Sequence, residues 1–277
     1  MIATVDRSLR YGVYLCGIAS LAAGILDLIW GEFESAHQPI QAFGDHIPGR
    51  EILAYLTAAW LIAGGAAILW RRTAGAGAAA LAAIYGIFTV FWLPRFFTAP
   101  QVLGYRMSVY IGVLGGACSQ LIVVVAAGIV YASLGPRGSL SPRAALIARW
   151  TFGLCSADLG LAHLTGVQAN APMVPKWMPL GGDFWTVFTG IAFVAAGLAI
   201  VSGVLDVLAA RLLGLMLLVF SAVALAPMIF ASPRNHVAWG GNAYNLAAVG
   251  AAWIVAEWLA VRTQRFRAEA EVSTAQR

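Results

Sequence analysis

The sequence predicts an all-α polytopic membrane protein of about eight transmembrane helices, arranged as two parallel four-helix repeats. Three observations lead there. Hydrophobic residues fill 61% of the 277 positions and charged ones only 10%, where soluble domains carry about 25% charged residues. Apolar runs of spanning length recur along the whole chain. Corresponding segments of the two halves also align at nearly constant offsets. With a mean hydropathy of +0.81, a water-soluble fold has too little polar surface to cover its apolar side chains, so the expected solvent is lipid.

The runs lie at about 11–30, 52–70, 74–93, 107–134, 145–166, 184–205, 212–231 and 243–261. Each is close to the roughly 20 helical residues that cross a hydrocarbon core of roughly 30 Å. Helices are expected because open strand edges have no hydrogen-bond partners in lipid. Arg7 and Arg10 before the first run imitate a secretory signal. The run continues to Trp30 and has a counterpart in the second half, so it reads as a retained helix.

Orientation follows from the cations. The net charge of +5 gathers in no patch of the kind nucleic acid needs, and no nucleic-acid partner is expected. With the N-terminus inside, Arg7, Arg10, Arg71, Arg72, Arg137, Arg143, Arg149, Arg211, Arg262, Arg265, Arg267 and Arg277 are inner. Arg50, Arg95, Arg106, Lys176 and Arg234 are outer. Twelve of the 17 Lys and Arg residues therefore fall on one side and five on the other, a positive-inside pattern. It predicts a multi-pass inner-membrane protein with both termini cytoplasmic and the lipid bilayer as its first partner. Trp30, Trp70, Trp92, Tyr105, Trp177, Trp185, Trp239 and Trp258 sit near span ends, as interfacial rings do.

A shift of 136 brings Gly17, Ser20, Gly24 and Leu28 onto Gly153, Ser156, Gly160 and Leu164. A shift of 132 brings Thr57, Ala63, Gly65, Ala67 and Ile68 onto Thr189, Ala195, Gly197, Ala199 and Ile200. Under the same shift Leu81, Phe88 and Leu93 meet Leu213, Phe220 and Leu225. Four spans per unit preserve direction, so the repeats are expected to be parallel. The division is 1–134 for the first repeat, 135–144 for an inner linker rich in Gly, Pro, Ser and Arg, 145–262 for the second repeat, and 263–277 for a polar inner tail.

Two polar stretches interrupt this apolar chain. Asp27 to Glu51 holds His37 and His46, and Asp158 to Asp183 holds His163. An ionisable group within a span is costly and usually faces a bundle interior or a wet cavity. Asp27, Asp158 and His163 are therefore the candidates for proton handling, with Ser119 and Gln120 as prospective partners of Asp158. His37, His46, His163 and His236 fall on or near the outer side and are the candidate metal ligands, since imidazole and carboxylate hold zinc, iron or copper. No two of them have the H-x-x-x-H spacing of a helical site. Cys16, Cys118 and Cys155 lie in apolar runs without a C-x-x-C pair and read as small buried hydrophobes. His37–Gly49 and Ala171–Pro179 mix proline with large apolar residues; each reads as an interfacial anchor or as a cap dipping back over a bundle.

Val174-Pro175-Lys176-Trp177-Met178-Pro179, followed by the small-residue helix from Phe184 to Val201, resembles the DoxX-like membrane protein family. The first half resembles it through Gly24-Ile25-Leu26-Asp27, His37-Gln38-Pro39 and Ile47-Pro48-Gly49. The resemblance implies the four-helix unit twice over. Some members are associated with thiosulfate:quinone oxidoreductases, which implies a membrane redox setting with quinone as cofactor or partner. Where the family often has an acid after the loop, this chain has Phe193 and Leu61. Where an asparagine often follows proline in the third helix, Pro227 precedes Met228 and Ile229. The functional readings are thus an oxidoreductase component working with quinone, a small-molecule or lipid transporter, or a non-catalytic subunit bound to a partner membrane protein.

Overall fold

The computed structural model describes residues 2–34, 37, 49–136 and 138–275. Asp45, His46 and most of the first polar stretch lie outside the described residues. Helices dominate, and no strand occurs among the described residues. In chain order they are α1 (Ile2–Trp30), α2 (Arg50–Leu69), α3 (Ala74–Trp92), α4 (Arg95–Leu103), α5 (Met107–Leu134), α6 (Pro142–Thr165), α7 (Val167–Asn170), α8 (Gly181–Ser202), α9 (Asp206–Phe220), α10 (Ala226–Ala231) and α11 (His236–Ala275). A 3-10 turn, Ala171–Met173, follows α7, and a π-helical turn, Ser221–Leu225, joins α9 to α10 as one continuous rod.

Among the described residues, seven segments are long and apolar enough to cross a membrane: Tyr11–Trp30, Arg50–Leu69, Ala74–Trp92, Met107–Leu134, Gly181–Ser202, Asp206–Ala231 and His236–Gln264. Their outward faces carry Ile29, Ile52, Leu198 and Phe230, all strongly exposed, as a lipid-facing surface requires. The chain is an all-α, multi-pass membrane protein. The eighth expected span is α6, a helix of 24 residues. Arg143, Arg149, Asp158 and His163 lower its hydropathy, so composition alone does not place it with the seven. It nonetheless lies alongside α5 and α8.

Sequential long helices pack as neighbours: α1 on α2, α2 on α3, α3 on α5, α5 on α6, α6 on α8, α8 on α9 and α9 on α11. The ring closes where α11 returns to α1, and α5 touches α11 across the middle. These two are the most enclosed rods, with 67% and 61% of their apolar stretches buried against 28–44% for the other five.

Glycine sets the closest approaches. A Cβ on Gly24 would stand 2.6 Å from Ala58 O and 2.9 Å from Ile62 N; one on Gly160 would stand 2.5 Å from Gly190 O and 2.8 Å from Val194 N. Gly65 abuts Gly17 O and Leu21 N, as Gly197 abuts Gly153 O and Ala157 N. Each pair of contacts is related by offsets of 136 on α1 and α6 and 132 on α2 and α8. Thr57 Oγ1 donates to Leu53 O and Ala54 O, and Thr189 Oγ1 to Trp185 O and Thr186 O. Backbones this close in lipid gain dispersion contacts that larger side chains would prevent.

The π turn has a local cause. Pro227 has no N–H to offer Val223 O, and its ring crowds that carbonyl. An i→i+5 turn, with Ala226 N on Ser221 O, takes up the misfit. Asn245 of α11 donates to Leu217 O (2.7 Å) and to Ser221 Oγ (2.8 Å), tying the turn to the central rod.

Candidate functional site

A cavity of about 660 Å³ lies within the second half, between α6, α8, α9 and α11, with Ser119 and Ile122 of α5 at its back. Its size falls within the roughly 300–1,000 Å³ of small-molecule sites. Phe188, Leu212, Leu215 and Val219 line it and are also about half exposed on the lipid-facing surface. The cavity therefore opens sideways between α8 and α9, the most loosely packed neighbours in the ring. The segment after α7 roofs it with Met173, Val174, Pro175 and Met178, while Trp177 points away, 72% exposed. The stretch Ala171–Pro179 is thus a cap that carries an interfacial ring on its outer side. Leu180 (φ 70°) and Gly181 (φ 78°) make the left-handed turn from this cap into α8.

The cavity wall is apolar because its polar groups are already engaged. Ser156 Oγ donates to Phe152 O, Thr186 Oγ1 to Gly182 O, Thr189 Oγ1 to Trp185 O, Ser119 Oγ to Gly116 O and Asn170 Nδ2 to Gly166 O. Two groups differ. His163 Nδ1 lies 2.8 Å from Leu159 O. A carbonyl only accepts, so Nδ1 carries the proton and Nε2 is left as an acceptor. The imidazole is held between Phe193 (centroids 5.2 Å apart) and Phe220 (6.2 Å). Tyr244 of α11 also lines the cavity, and its buried hydroxyl has no hydrogen-bond partner among the described residues.

A second polar group lies in the first half. Asp27 is fully buried; its Oδ1 accepts from Glu34 N at 2.9 Å and stands 3.2 Å from His236 Nε2. The His236 ring stacks flat on Trp30, centroids 5.0 Å apart, beside a shallow recess bounded by 232–236. His37, also fully buried, stacks on Phe88 at 4.2 Å and meets Tyr85 and Tyr244 edge-on at 5.8 and 6.2 Å. Tyr85 shares a hydrogen bond of 3.2 Å with Ser20. Arg95, at the start of α4, lies over the Trp92 ring at 3.8 Å. Burial pulls its guanidinium down to about 10 while the charge of Glu34 pulls the other way, so it stays cationic at neutral pH.

Of the three proton-handling candidates, only His163 lines the cavity. Asp27 belongs to the first-half cluster. Asp158 is buried against α5, beside Gly115 and Cys118, and its Oδ2 has no partner among the described residues. Five residues of helix turn it away from His163. Ser119, one of its expected partners, donates to Gly116 O instead. His37, His163 and His236 are held by different surroundings, and no group of three His, Cys, Asp or Glu converges to hold a metal among the described residues. His46 lies outside those residues. All three cysteines are free and buried.

Sequence reasoning passed over Tyr85, Arg95 and Tyr244. A signal was present for the last. Under an offset of 125, Gly115-Gly116 and the residues to Leu134 meet Gly240-Gly241 and the residues to Leu259, with nine identities in 20 positions. That register sets Ser119 opposite Tyr244 and Gln120 opposite Asn245. Comparison with known proteins found no matching family model, no matching curated protein and no matching solved structure.

Proposed function

We propose that this protein binds a lipid-soluble, ring-bearing small molecule, of the quinone class, in the lateral cavity of its second half, as a membrane oxidoreductase component. The observation that carries the reading is the cavity's composition. It is an apolar, aromatic-walled space open to the bilayer, with one imidazole acceptor on its wall and the Tyr244 ring beside it. A quinone head stacks on rings such as Phe193 and Phe220. Its carbonyl accepts from Tyr244, and its reduced hydroxyl donates to His163 Nε2. The isoprenoid tail leaves between α8 and α9. Phe193, at the position where DoxX-like relatives often carry an acid, supports a ring-binding wall rather than a charged one.

The same reading takes the chain to be a tandem pair of DoxX-like units in an inner membrane, with α6 as the eighth span and both termini cytoplasmic. The shared glycine contacts at offsets of 136 and 132, and the ring order that repeats after four long helices, support it.

The test is equilibrium binding of a short-chain ubiquinone analogue to the full chain in nanodiscs, read by quenching of tryptophan fluorescence, with Trp185 on the cavity wall. Saturable micromolar binding is expected, weakened about tenfold by His163→Phe, which deletes one buried hydrogen bond worth about 1.4 kcal/mol. Quenching that rises linearly with partition into lipid, equal in the variant, would remove the proposal.

A transporter reading draws on one observation: the π turn and Pro227 lie beside the cavity wall, where a helix can bend. It predicts flux of the ligand between leaflets that Pro227→Ala slows, with binding unchanged.

A further inference from the structure

Tyr244 faces two ways. It lines the second-half cavity, and its ring stands edge-on to His37 in the first-half cluster. From His37 the contacts continue through backbone amides. His37 N donates to Glu34 O (2.9 Å), Glu34 N donates to Asp27 Oδ1 (2.9 Å), and Asp27 Oδ1 stands 3.2 Å from His236 Nε2 beside the recess at the bundle end. Gly240 makes room for Glu34, because any Cβ there would strike its side chain. Along this line Tyr244 Oη, both ring nitrogens of His37 and Asp27 Oδ2 are buried without hydrogen-bond partners among the described residues. Leaving such groups dry is unfavourable. Four on one line, each able to give or take a proton, are the lining expected of a small chain of internal waters.

We infer that a hydrated, protonatable passage runs from the cavity past Tyr244, His37 and Asp27 to His236, opening at the end of the bundle that carries Trp30. It lets a hydroxyl in the cavity exchange its proton with water at that end without the proton entering lipid. The exchange is balanced at each station. The ligand hydroxyl gives a proton to the phenol oxygen as the phenol releases its own to the next water, and the last carrier delivers one to bulk while a proton returns along the same line to the ligand oxygen. No electron moves and no charge is left behind. The existence of the passage is independent of the cavity's occupant; only its use rests on the ligand reading.

Radiolytic hydroxyl labelling of the full chain in nanodiscs, after millisecond mixing with ¹⁸O water, tests this. After correction for intrinsic reactivity, His37 should label at least tenfold faster than Leu81 and Ile254, which are equally enclosed but among apolar neighbours. The label should carry ¹⁸O. His236→Phe, which keeps the ring stack on Trp30, should slow ¹⁸O uptake at Tyr244 several-fold. Protection of His37 equal to that of Leu81 in the wild-type chain would overturn the passage. Unchanged uptake in His236→Phe would overturn its exit. Failure of quinone binding with labelling intact would leave the passage standing and remove only the ligand.

Discussion

Asp27 and His163 lie 136 residues apart, at matching levels of α1 and α6, yet they meet different partners. Asp27 is enclosed by Glu34 N and His236, whereas His163 is turned to an open cavity. This difference sets opposite expectations for their loss. Asp27→Asn takes the carboxylate away from His236 and should destabilise the fold by about 1–3 kcal/mol in denaturant unfolding. Adding His236→Phe should recover part of that loss, since removing both partners is milder than stranding one. His163→Phe should leave unfolding nearly unchanged while weakening the ligand. Sequence alone marked both residues, because charge and imidazole in an apolar run are conspicuous. It did not mark Tyr85, Tyr244 or Arg95. Aromatic residues are ordinary in such runs, and the groups facing these three come from helices far away in the chain.

At the scale of the helix, equal-looking glycines have unequal work. Gly24 and Gly160 sit against the backbone of the adjoining helix, whereas Gly75, Gly86 and Gly128 have no neighbouring atom within 4 Å of where a Cβ would stand. Gly24→Ala and Gly160→Ala should each cost about 1–3 kcal/mol through overlap. Gly75→Ala, Gly86→Ala and Gly128→Ala should be neutral, or stabilising by about 0.5–1 kcal/mol from helix propensity. Denaturant titration of the five variants separates the two groups. The eight runs read from hydropathy fall on the eight long rods, with ends shifted by a few residues, because lipid enforces length and apolarity. The short α4 and the π turn were not legible. Lipid imposes no comparable pattern on them, and the π turn is tied to Asn245 in another helix.

Across the whole molecule, the two halves do not close into separate bundles. α5 passes the ring to α6, and α11 closes it on α1. Each half alone would expose three helix seams that the other covers, α5 on α6, α1 on α11 and α5 on α11. A chain split within 135–141 should therefore reassemble when both pieces are co-expressed, and either piece alone should be degraded. Reporter tags at the two termini should emerge on the same side, which requires α6 to cross. The apolar character and the long helices were open to view in the sequence. The position of the cavity was not, since it depends on how closely α8 and α9 approach and on how the cap folds back over them.

Entry of a lipid-soluble ligand into that space from the bilayer is the step on which the proposed function turns. A photoreactive azidoquinone, irradiated with the protein in nanodiscs and mapped by peptide mass spectrometry, addresses it most directly. Adducts are expected on the cap and cavity wall, at Met173, Met178, Met216 and Phe193, lost on competition with unlabelled quinone. Adducts spread over lipid-facing residues such as Ile52, Leu198 and Phe230, and indifferent to competition, would contradict it.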